Sequence, residues 1–206
     1  EIQYCDWSSD VCSSDLDMKR RHMSALALLV GSGLGLLASL ALSIESLVLA
    51  KNSEAVLSCD LNSALSCSAV ANHWSAAIFG FPNSFIGLAT LPVMITIAVA
   101  LLAGTKFPKW FMQCAQVGVV AGLFFAFWMF GMSYLVIGAL CPWCLALDLG
   151  MILIFFGMTR YNVLTKNVYT KSLSKFIDRG YDALFAAVLV VLAVMAVIAK
   201  FGEQLF

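Results

Sequence analysis

Two pairs of cysteines have spacings that suit thiol–disulfide chemistry. Cys141 and Cys144 enclose Pro-Trp in a C-x-x-C run, and Cys59 and Cys67 enclose the polar loop DLNSALS. A C-x-x-C at the start of a helix places its first cysteine near unpaired amides and the positive end of the helix dipole, which stabilise a thiolate. Because the thiolate is the species that attacks a disulfide, this run predicts redox chemistry.

Both spacings have other interpretations. C-x-x-C also occurs in zinc sites, although nothing else in the sequence resembles a zinc ribbon. A purely structural disulfide at C-x-x-C spacing is uncommon, since so short a loop gains little entropy. For Cys59 and Cys67 taken alone, a disulfide that only staples the loop stays an open interpretation. The presence of two pairs favours redox chemistry.

The amino-acid composition indicates whether water or lipid surrounds most of the protein. Of the 206 residues 62% are hydrophobic, and only 12 basic and 12 acidic side chains are present, which gives a mean hydropathy of +0.93. A soluble domain of this size cannot bury so much apolar surface, so lipid must cover most of it. The net charge of zero offers no basic field for nucleic acid. The sequence therefore predicts a membrane protein.

Five segments are apolar and long enough to cross a bilayer, which takes roughly 20 residues. They are residues 24–44, 85–103, 110–137, 141–159 and 183–199. Gly138 and Pro142 divide the longest charge-free stretch, because proline suits the first turn of a helix and not its middle. We expect an all-α integral membrane protein, with a four-helix transmembrane bundle and a fifth, peripheral transmembrane helix.

The basic residues predict the orientation of these spans. Ten of the twelve fall on one side: Lys19, Arg20, Arg21, Lys106, Lys109, Arg160, Lys166, Lys171, Lys175 and Arg179. Since basic loops stay in the cytoplasm, the N-terminus is expected there, in a multi-pass protein of the bacterial cytoplasmic (inner) membrane. Both cysteine pairs then face the outer, oxidising compartment. Cys114, inside the third span, is expected to be a small buried hydrophobe.

An interfacial half-helix is expected after Cys67. In SAVANHWSAAIF one helical face carries Ala69, Val70, Trp74, Ala77 and Ile78. The segment is too short to cross a bilayer, so we expect it to lie at the interface, anchored by Trp74. Such a half-helix would cap the outer mouth of the bundle and hold the loop cysteines above the C-x-x-C.

Electrons that enter the protein through these two cysteine pairs need an acceptor. The sequence contains no haem, flavin or iron–sulfur motif, so a lipid-soluble acceptor is the simplest expectation. Apolar side chains near the helix mouth could line its pocket, although aromatic residues are also common at membrane interfaces. The candidates are Phe79, Phe81, Phe85, Trp143 and Leu145.

Nearly all of residues 24–159 resembles the bacterial vitamin K epoxide reductase family. The resemblance rests on a first span, an outer loop with a cysteine pair, the half-helix, FGFPNSFIG opening the second span and C-P-W-C opening the fourth. FGFPN followed by a small residue and an apolar pair is similar to actinobacterial members in particular. The loop pair precedes the C-x-x-C, whereas DsbB-type enzymes have the reverse order.

The resemblance implies a thiol:quinone oxidoreductase with menaquinone or ubiquinone as its quinone. It implies that Cys59 exchanges with a secreted DsbA-like or thioredoxin-like partner and that Cys67 exchanges with Cys141. Cys144 would then face the quinone and reduce it. Asn83 matches the family's asparagine that hydrogen-bonds a quinone oxygen, but it could equally be a cap for the second span.

Two positions depart from the family's pattern. His73 stands where many relatives have Ser or Thr, and it is expected to be a solvated interface residue more readily than a proton donor. Asp148 lies one turn below Cys144, where many relatives have an apolar or aromatic residue. An acid within a span is by default a functional candidate, so Asp148 could take a proton or bind the quinone, or it could be solvated near the interface.

The chain is expected to divide into three parts. Residues 17–160 form the four-helix catalytic domain, and residues 161–206 form a basic cytoplasmic loop and the fifth span. Asp6 begins DWSSDVCSSDL, which reads as one frame of a common sequencing adapter, so residues 1–16 are interpreted as an assembly artefact. The chain lacks the thioredoxin-like domain that is fused to some relatives, so the partner is expected to be a separate protein or to have been lost by truncation.

Other functions remain open at this point. A soft-metal transporter could pass a cation between cysteine pairs, but it would want a path of ligands across the membrane. Only Cys114 and Asp148 lie within the spans as candidates for that path. A membrane scaffold with two structural disulfides would leave the C-x-x-C unexplained. Epoxide reduction is possible chemistry, but it is a less expected task for a bacterium.

Overall fold

A computed structural model describes residues 9–52, 55, 57, 59–60, 65–167, 177 and 181–205. The described chain is helical. Its elements are α1 (Ser9–Lys51), α2 (Cys67–Ala71), a 3₁₀ helix (Trp74–Ala77), α3 (Ser84–Leu102), α4 (Lys109–Gly131), a π-helical turn (Met132–Ile137), α5 (Pro142–Leu164) and α6 (Tyr181–Leu205).

Four of these helices are long and apolar enough to cross a membrane: Met18–Lys51, Ser84–Leu102, Lys109–Ile137 and Pro142–Leu164. The predicted all-α membrane bundle is therefore confirmed. The first and fourth spans extend beyond their predicted ends, because helices continue past the apolar core of a bilayer where polar residues can be solvated.

The fifth predicted span corresponds to α6. Its apolar part, Leu184–Lys200, is 17 residues long, which is the lower limit for a helix that crosses a bilayer. That it spans the membrane stays a prediction. Three of the basic residues assigned to the preceding cytoplasmic loop, Lys171, Lys175 and Arg179, lie outside the described residues.

Helices α1 and α5 pack so closely that their backbones touch. A Cβ atom added at Gly31 would lie 2.7 Å from the Gly150 carbonyl oxygen, and one added at Gly157 would lie 2.6 Å from the Ser24 carbonyl oxygen. Small residues allow this approach in membranes, where association depends on van der Waals packing and interhelical hydrogen bonds. Leu28 and Met158 fill the adjacent core.

Polar side chains join the other helices of the bundle. The Ser43 hydroxyl on α1 lies 2.9 Å from the Ser84 hydroxyl at the start of α3. Asn162 on α5 is fully buried and donates hydrogen bonds to the Met112 carbonyl and the Gln116 side chain of α4. These polar side chains thus find partners on neighbouring helices, as a low-dielectric environment favours.

The connection between α4 and α5 brings the two cysteine-bearing segments together. After the π-helical turn, Gly138 adopts a left-handed conformation with φ of 72°, which glycine accepts without strain. The chain then runs to Leu140, whose carbonyl oxygen accepts a 2.9 Å hydrogen bond from the Ser66 amide. Leu65 forms an isolated parallel bridge with Leu140. The loop before Cys67 is thereby fixed beside Cys141.

The predicted half-helix is present in two pieces. Helix α2 ends at Ala71, the chain turns, and His73 caps the 3₁₀ helix by accepting from the Ser75 amide. The prediction that one apolar face runs along the whole segment was wrong. Val70 is buried, at 3% exposure, whereas Trp74, which was assigned to the same face, is 64% exposed. His73 also hydrogen-bonds the Ser75 hydroxyl at 2.8 Å, so it has a local structural role as a helix cap.

We predict that Gly157→Ala lowers the stability of the bundle by about 1–3 kcal/mol, because the new methyl group collides with the α1 backbone. Thermal unfolding in detergent, followed by circular dichroism, measures the loss. Gly118→Ala is the matched control, since Gly118 is also helical and has open space around its Cβ position. Equal melting temperatures for the two variants would contradict close packing of α1 against α5.

Candidate active site

The four predicted redox cysteines lie together. Cys59 and Cys67 form a disulfide. The Cys67 sulfur lies 3.0 Å from the Cys141 sulfur, while Cys141 and Cys144 are free thiols. This distance allows a Cys141 thiolate to attack Cys67 without a large movement of the backbone.

Cys141 lies at the N-cap of α5, as its spacing before Pro142 predicts. Its sulfur accepts a 3.4 Å hydrogen bond from the Cys144 amide. The hydrogen bond from the Cys144 thiol, with help from the Cys144 and Trp143 amides, lowers the pKa of Cys141 although burial opposes the shift. A stabilised thiolate is a better leaving group in disulfide exchange, so Cys141 is suited to release as well as attack.

Asp60 fixes the loop that carries the disulfide. One carboxylate oxygen accepts from the Ser68 amide and the Ser66 hydroxyl, and the other accepts from the Leu57 amide. Burial alone would raise the pKa of Asp60, but these hydrogen bonds outweigh it and lower the pKa from 3.8 to about 2. The ionised carboxylate therefore ties Cys59, its neighbour, to the start of α2.

A cavity of about 170 Å³ opens beside the cysteines. Its wall is mostly apolar, and polar groups enter it from α1, from α5 and from the segment before α3. The lining includes Leu42, Glu45, Cys67, Asn83, Phe125, Met129, Cys141, Cys144, Leu147, Asp148 and Met151. The cavity is smaller than the roughly 300–1,000 Å³ of typical ligand pockets, so it suits a flat ring rather than a whole prenylated molecule.

Asn83 is oriented toward this cavity by a hydrogen bond on its other side. Its amide nitrogen donates to the Ser75 carbonyl oxygen at 2.7 Å. Its Oδ1 is buried and accepts no hydrogen bond from the described residues. Asn83 precedes α3 but its side chain makes no cap hydrogen bond, so the interpretation of Asn83 as a side-chain cap was wrong. A buried acceptor without a protein partner fits a ligand that donates a hydrogen bond.

The other predicted pocket residues are placed differently. Asp148 lines the cavity, but Phe79 and Trp143 are not among its lining residues. Phe79 is 60% exposed and stacks on Phe81. Leu145 lines a separate apolar groove between α4, α5 and α6. The aromatic lining was therefore mispredicted, because backbone direction, which sequence spacing does not provide, decides which side chains point inward.

Cys114 also differs from its prediction. Its side chain is exposed on the surface of α4 rather than buried. On a membrane-crossing helix that surface faces an apolar solvent, so a small apolar side chain is accepted there as well as in a core.

Glu45 is a site residue that the sequence analysis did not identify. It belongs to α1 and is only 8% exposed, and both of its carboxyl oxygens lie within 3.2 Å of the Cys59 sulfur. The available signal was an acid directly after an otherwise charge-free span. It resembled an ordinary end of a span, because only the fold shows that α1 continues to Lys51 and buries this side chain.

Four apolar helices with two cysteine pairs together at one end define an integral membrane thiol–disulfide protein. The profile of the Vitamin K epoxide reductase family matches residues 26–159, and the chain belongs to this family. It is therefore a membrane redox enzyme that works through cysteines. The comparison with curated proteins gives no match.

We predict that Asp60→Asn loosens the disulfide loop by roughly 1 kcal/mol, because the charged acceptor of three hydrogen bonds is lost. Hydrogen exchange at the Leu57 and Ser68 amides should then be about fivefold faster at pH 7. In the unchanged chain the stabilisation is fully present above pH 3.8 and is lost as pH falls through about 2, since the folded pKa is the lower one. A variant with the same protection and the same acid response as the parent would contradict this role.

Proposed function

We propose that the protein oxidises the thiols of an extracytoplasmic DsbA-like or thioredoxin-like protein and passes the electrons to a membrane quinone. The sulfur contact between Cys67 and Cys141 is the observation that carries the proposal. Electrons would enter at Cys59 and Cys67, cross to Cys141 and Cys144, and leave to the quinone. The net reaction is dithiol plus quinone giving disulfide plus quinol.

The position of each cysteine supports this order. Cys67 faces Cys141, which leaves Cys59, on the far side of the disulfide bond, for exchange with a partner. Cys144 lies one helical turn into α5 and lines the cavity, where it can meet an acceptor that arrives through the bilayer. Thiol–disulfide exchange in both directions needs only thiolates and disulfides in contact, which this arrangement supplies.

The cavity fits a quinone ring by its shape and chemistry. Apolar side chains of all five helices α1 to α5 contribute to its wall, and the Oδ1 atom of Asn83, which has no partner among the described residues, can accept a hydrogen bond from a hydroxyl of the reduced ring, the quinol. Asn83 and Asp148 would hold the ring, beside Cys144. When bound, a quinone takes up two electrons and two protons, and the chain's part is to orient it and exclude water.

The soft-metal alternative has less support. Glu45, Cys59 and Cys67 bring three donor atoms within 4.8 Å of one another. The two sulfurs, however, are bonded to each other, and a thiolate, not a disulfide, is the metal ligand that cysteine provides.

The basic-residue pattern supports an inner-membrane location with the cysteines facing outward.

Cysteine variants test the electron route. We expect Cys141→Ala or Cys144→Ala to abolish quinone reduction, because the acceptor then has no dithiol beside it. Cys59→Ala or Cys67→Ala should spare oxidation of dithiothreitol more than oxidation of a reduced thioredoxin-fold partner. Ultraviolet absorbance of the quinone follows the reaction in purified protein. Equal losses in all four variants with both substrates would refute the order, and no reduction by folded parent protein would refute the proposed function.

A second prediction concerns Asn83. Removing its side chain with Asn83→Ala should weaken inhibition by a soluble quinol analogue and raise its inhibition constant about tenfold, the effect of losing one hydrogen bond of about 1.4 kcal/mol from the quinol hydroxyl. Asn72→Ala is the matched control, since Asn72 is an exposed asparagine that does not line the cavity. Unchanged inhibition constants in both variants would remove Asn83 from the quinone site.

A further inference from the structure

Glu45 combines an unfavourable location with contact to a reacting atom. A carboxyl group within a membrane-crossing helix is costly and is by default a functional candidate. Its two oxygens lie 3.1 and 3.2 Å from the sulfur of Cys59. The electron route described above uses Cys59 but assigns nothing to Glu45, so this contact needs a chemical explanation.

The redox state of Cys59 and Cys67 decides whether the proton between Glu45 and Cys59 lies on the carboxyl oxygen or on the sulfur. In the disulfide, the Cys59 sulfur is bonded to Cys67 and carries no hydrogen. A hydrogen bond at this distance can then be donated only by a protonated Glu45. After reduction, the Cys59 thiol carries the hydrogen and the Glu45 carboxylate can accept it. One proton can therefore occupy the contact in both states, on oxygen in the first and on sulfur in the second.

We propose that Glu45 is the general base that takes the thiol proton of Cys59 as the Cys59–Cys67 disulfide forms, and the general acid that returns it in the reverse step. This role rests on the proposed function. The Cys59 sulfur attacks the mixed disulfide between Cys67 and Cys141, so that the Cys59–Cys67 bond forms while the Cys67–Cys141 bond breaks. The electron pair leaves on Cys141 as a thiolate, and the proton moves to Glu45.

Charge and proton count are the same on both sides of this step. Before it, Glu45 is a carboxylate and Cys59 a thiol; after it, Glu45 is a carboxylic acid and Cys141 a thiolate. The disulfide count is also unchanged, so no external oxidant or reductant is needed. The leaving thiolate is the one that Cys144 and the amides at the start of α5 stabilise.

The burial of Cys59 explains why a proton acceptor must be supplied by the protein. Cys59 is 6% exposed and packs in an apolar cluster with Leu49, Leu57 and Val70. A thiolate without hydrogen-bonding solvent is costly there. A carboxylate already in contact can remove the proton as the new bond forms, which avoids a free buried anion on Cys59.

The test follows disulfide pairing in the full chain, without quinone or partner. Cys144→Ser prevents formation of the Cys141–Cys144 disulfide, and alanine replaces Cys5, Cys12 and Cys114, so that the remaining three cysteines hold one disulfide. Acid quenching, alkylation and mass spectrometry of peptides then give the ratio of the Cys67–Cys141 to the Cys59–Cys67 disulfide. The ratio is measured at equilibrium from about pH 7 to about pH 8.5, the range over which proton uptake is compared.

The expected pH profiles differ by one proton. Any titration of Cys141 is common to both chains and cancels when their profiles are compared. Relative to the chain with Glu45, the ratio in the Glu45→Gln chain should fall about tenfold per pH unit, since the Cys59 thiol must then take its proton from water. Glu45→Asp should restore the profile of the chain with Glu45, and Ser46→Ala, a change of the neighbouring residue on α1, should leave that profile unchanged.

Other titratable groups around this contact do not differ between the compared chains. In the described part of the structure they are Cys59, Cys67, Cys141 and Asp148, with Asp60 in the loop. A Glu45→Gln profile parallel to the parent's would overturn the proposal. Quinone reduction is measured separately in the parent protein, so failure of the proposed function and failure of the Glu45 role give different results.

An infrared measurement covers the case in which Glu45→Gln does not fold. Reduction of the Cys59–Cys67 disulfide in the chain with Cys144→Ser should give a negative carbonyl band of a protonated carboxyl group in the reduced-minus-oxidised difference spectrum. The same negative band should appear in an Asp148→Asn background, which assigns it to Glu45. Absence of the band from folded protein in both backgrounds would overturn the proposal.

Discussion

The 3.0 Å contact between the Cys67 and Cys141 sulfurs joins two segments that are 74 residues apart in the chain. Three features bring them together. Gly138 turns the chain between α4 and α5, the Leu140 carbonyl binds the Ser66 amide, and Pro142 begins α5 directly after Cys141. These three features therefore determine which sulfur of each pair meets the other pair.

The bilayer imposes a second constraint on the same region. A polar group in an apolar environment is costly unless it has a partner, yet Glu45, Asn83 and Asp148 all line one small cavity. Asn83 is held on one side by the Ser75 carbonyl, and Glu45 lies against the Cys59 sulfur. These three polar groups therefore occur where the proposed redox and proton steps would use them, while close glycine contacts, apolar side chains and a few interhelical hydrogen bonds join the rest of the bundle.

Helix existence was predictable in this protein and side-chain direction was not. A bilayer requires runs of about 20 apolar residues, so hydropathy alone located the spans. The N-cap position of Cys141 also followed from local rules, since Pro142 favours the first helical turn. The half-helix was predicted as one piece, because sequence periodicity does not register the local hydrogen bonds by which Ser66 and His73 begin two separate short helices.

The cavity illustrates the same limit. Phe79 and Trp143 were natural candidates by proximity in sequence, but neither lines the cavity, whose large side chains include Phe125 and Met129 of α4 and Met151 of α5. The sequence by itself determined the membrane bundle, the family and the four cysteines, since these depend on composition, local spacing and motif order. Only the tertiary structure decided which sulfurs touch, which side chains enclose the cavity and that Glu45 meets Cys59, because those contacts depend on how α1, α4 and α5 pack.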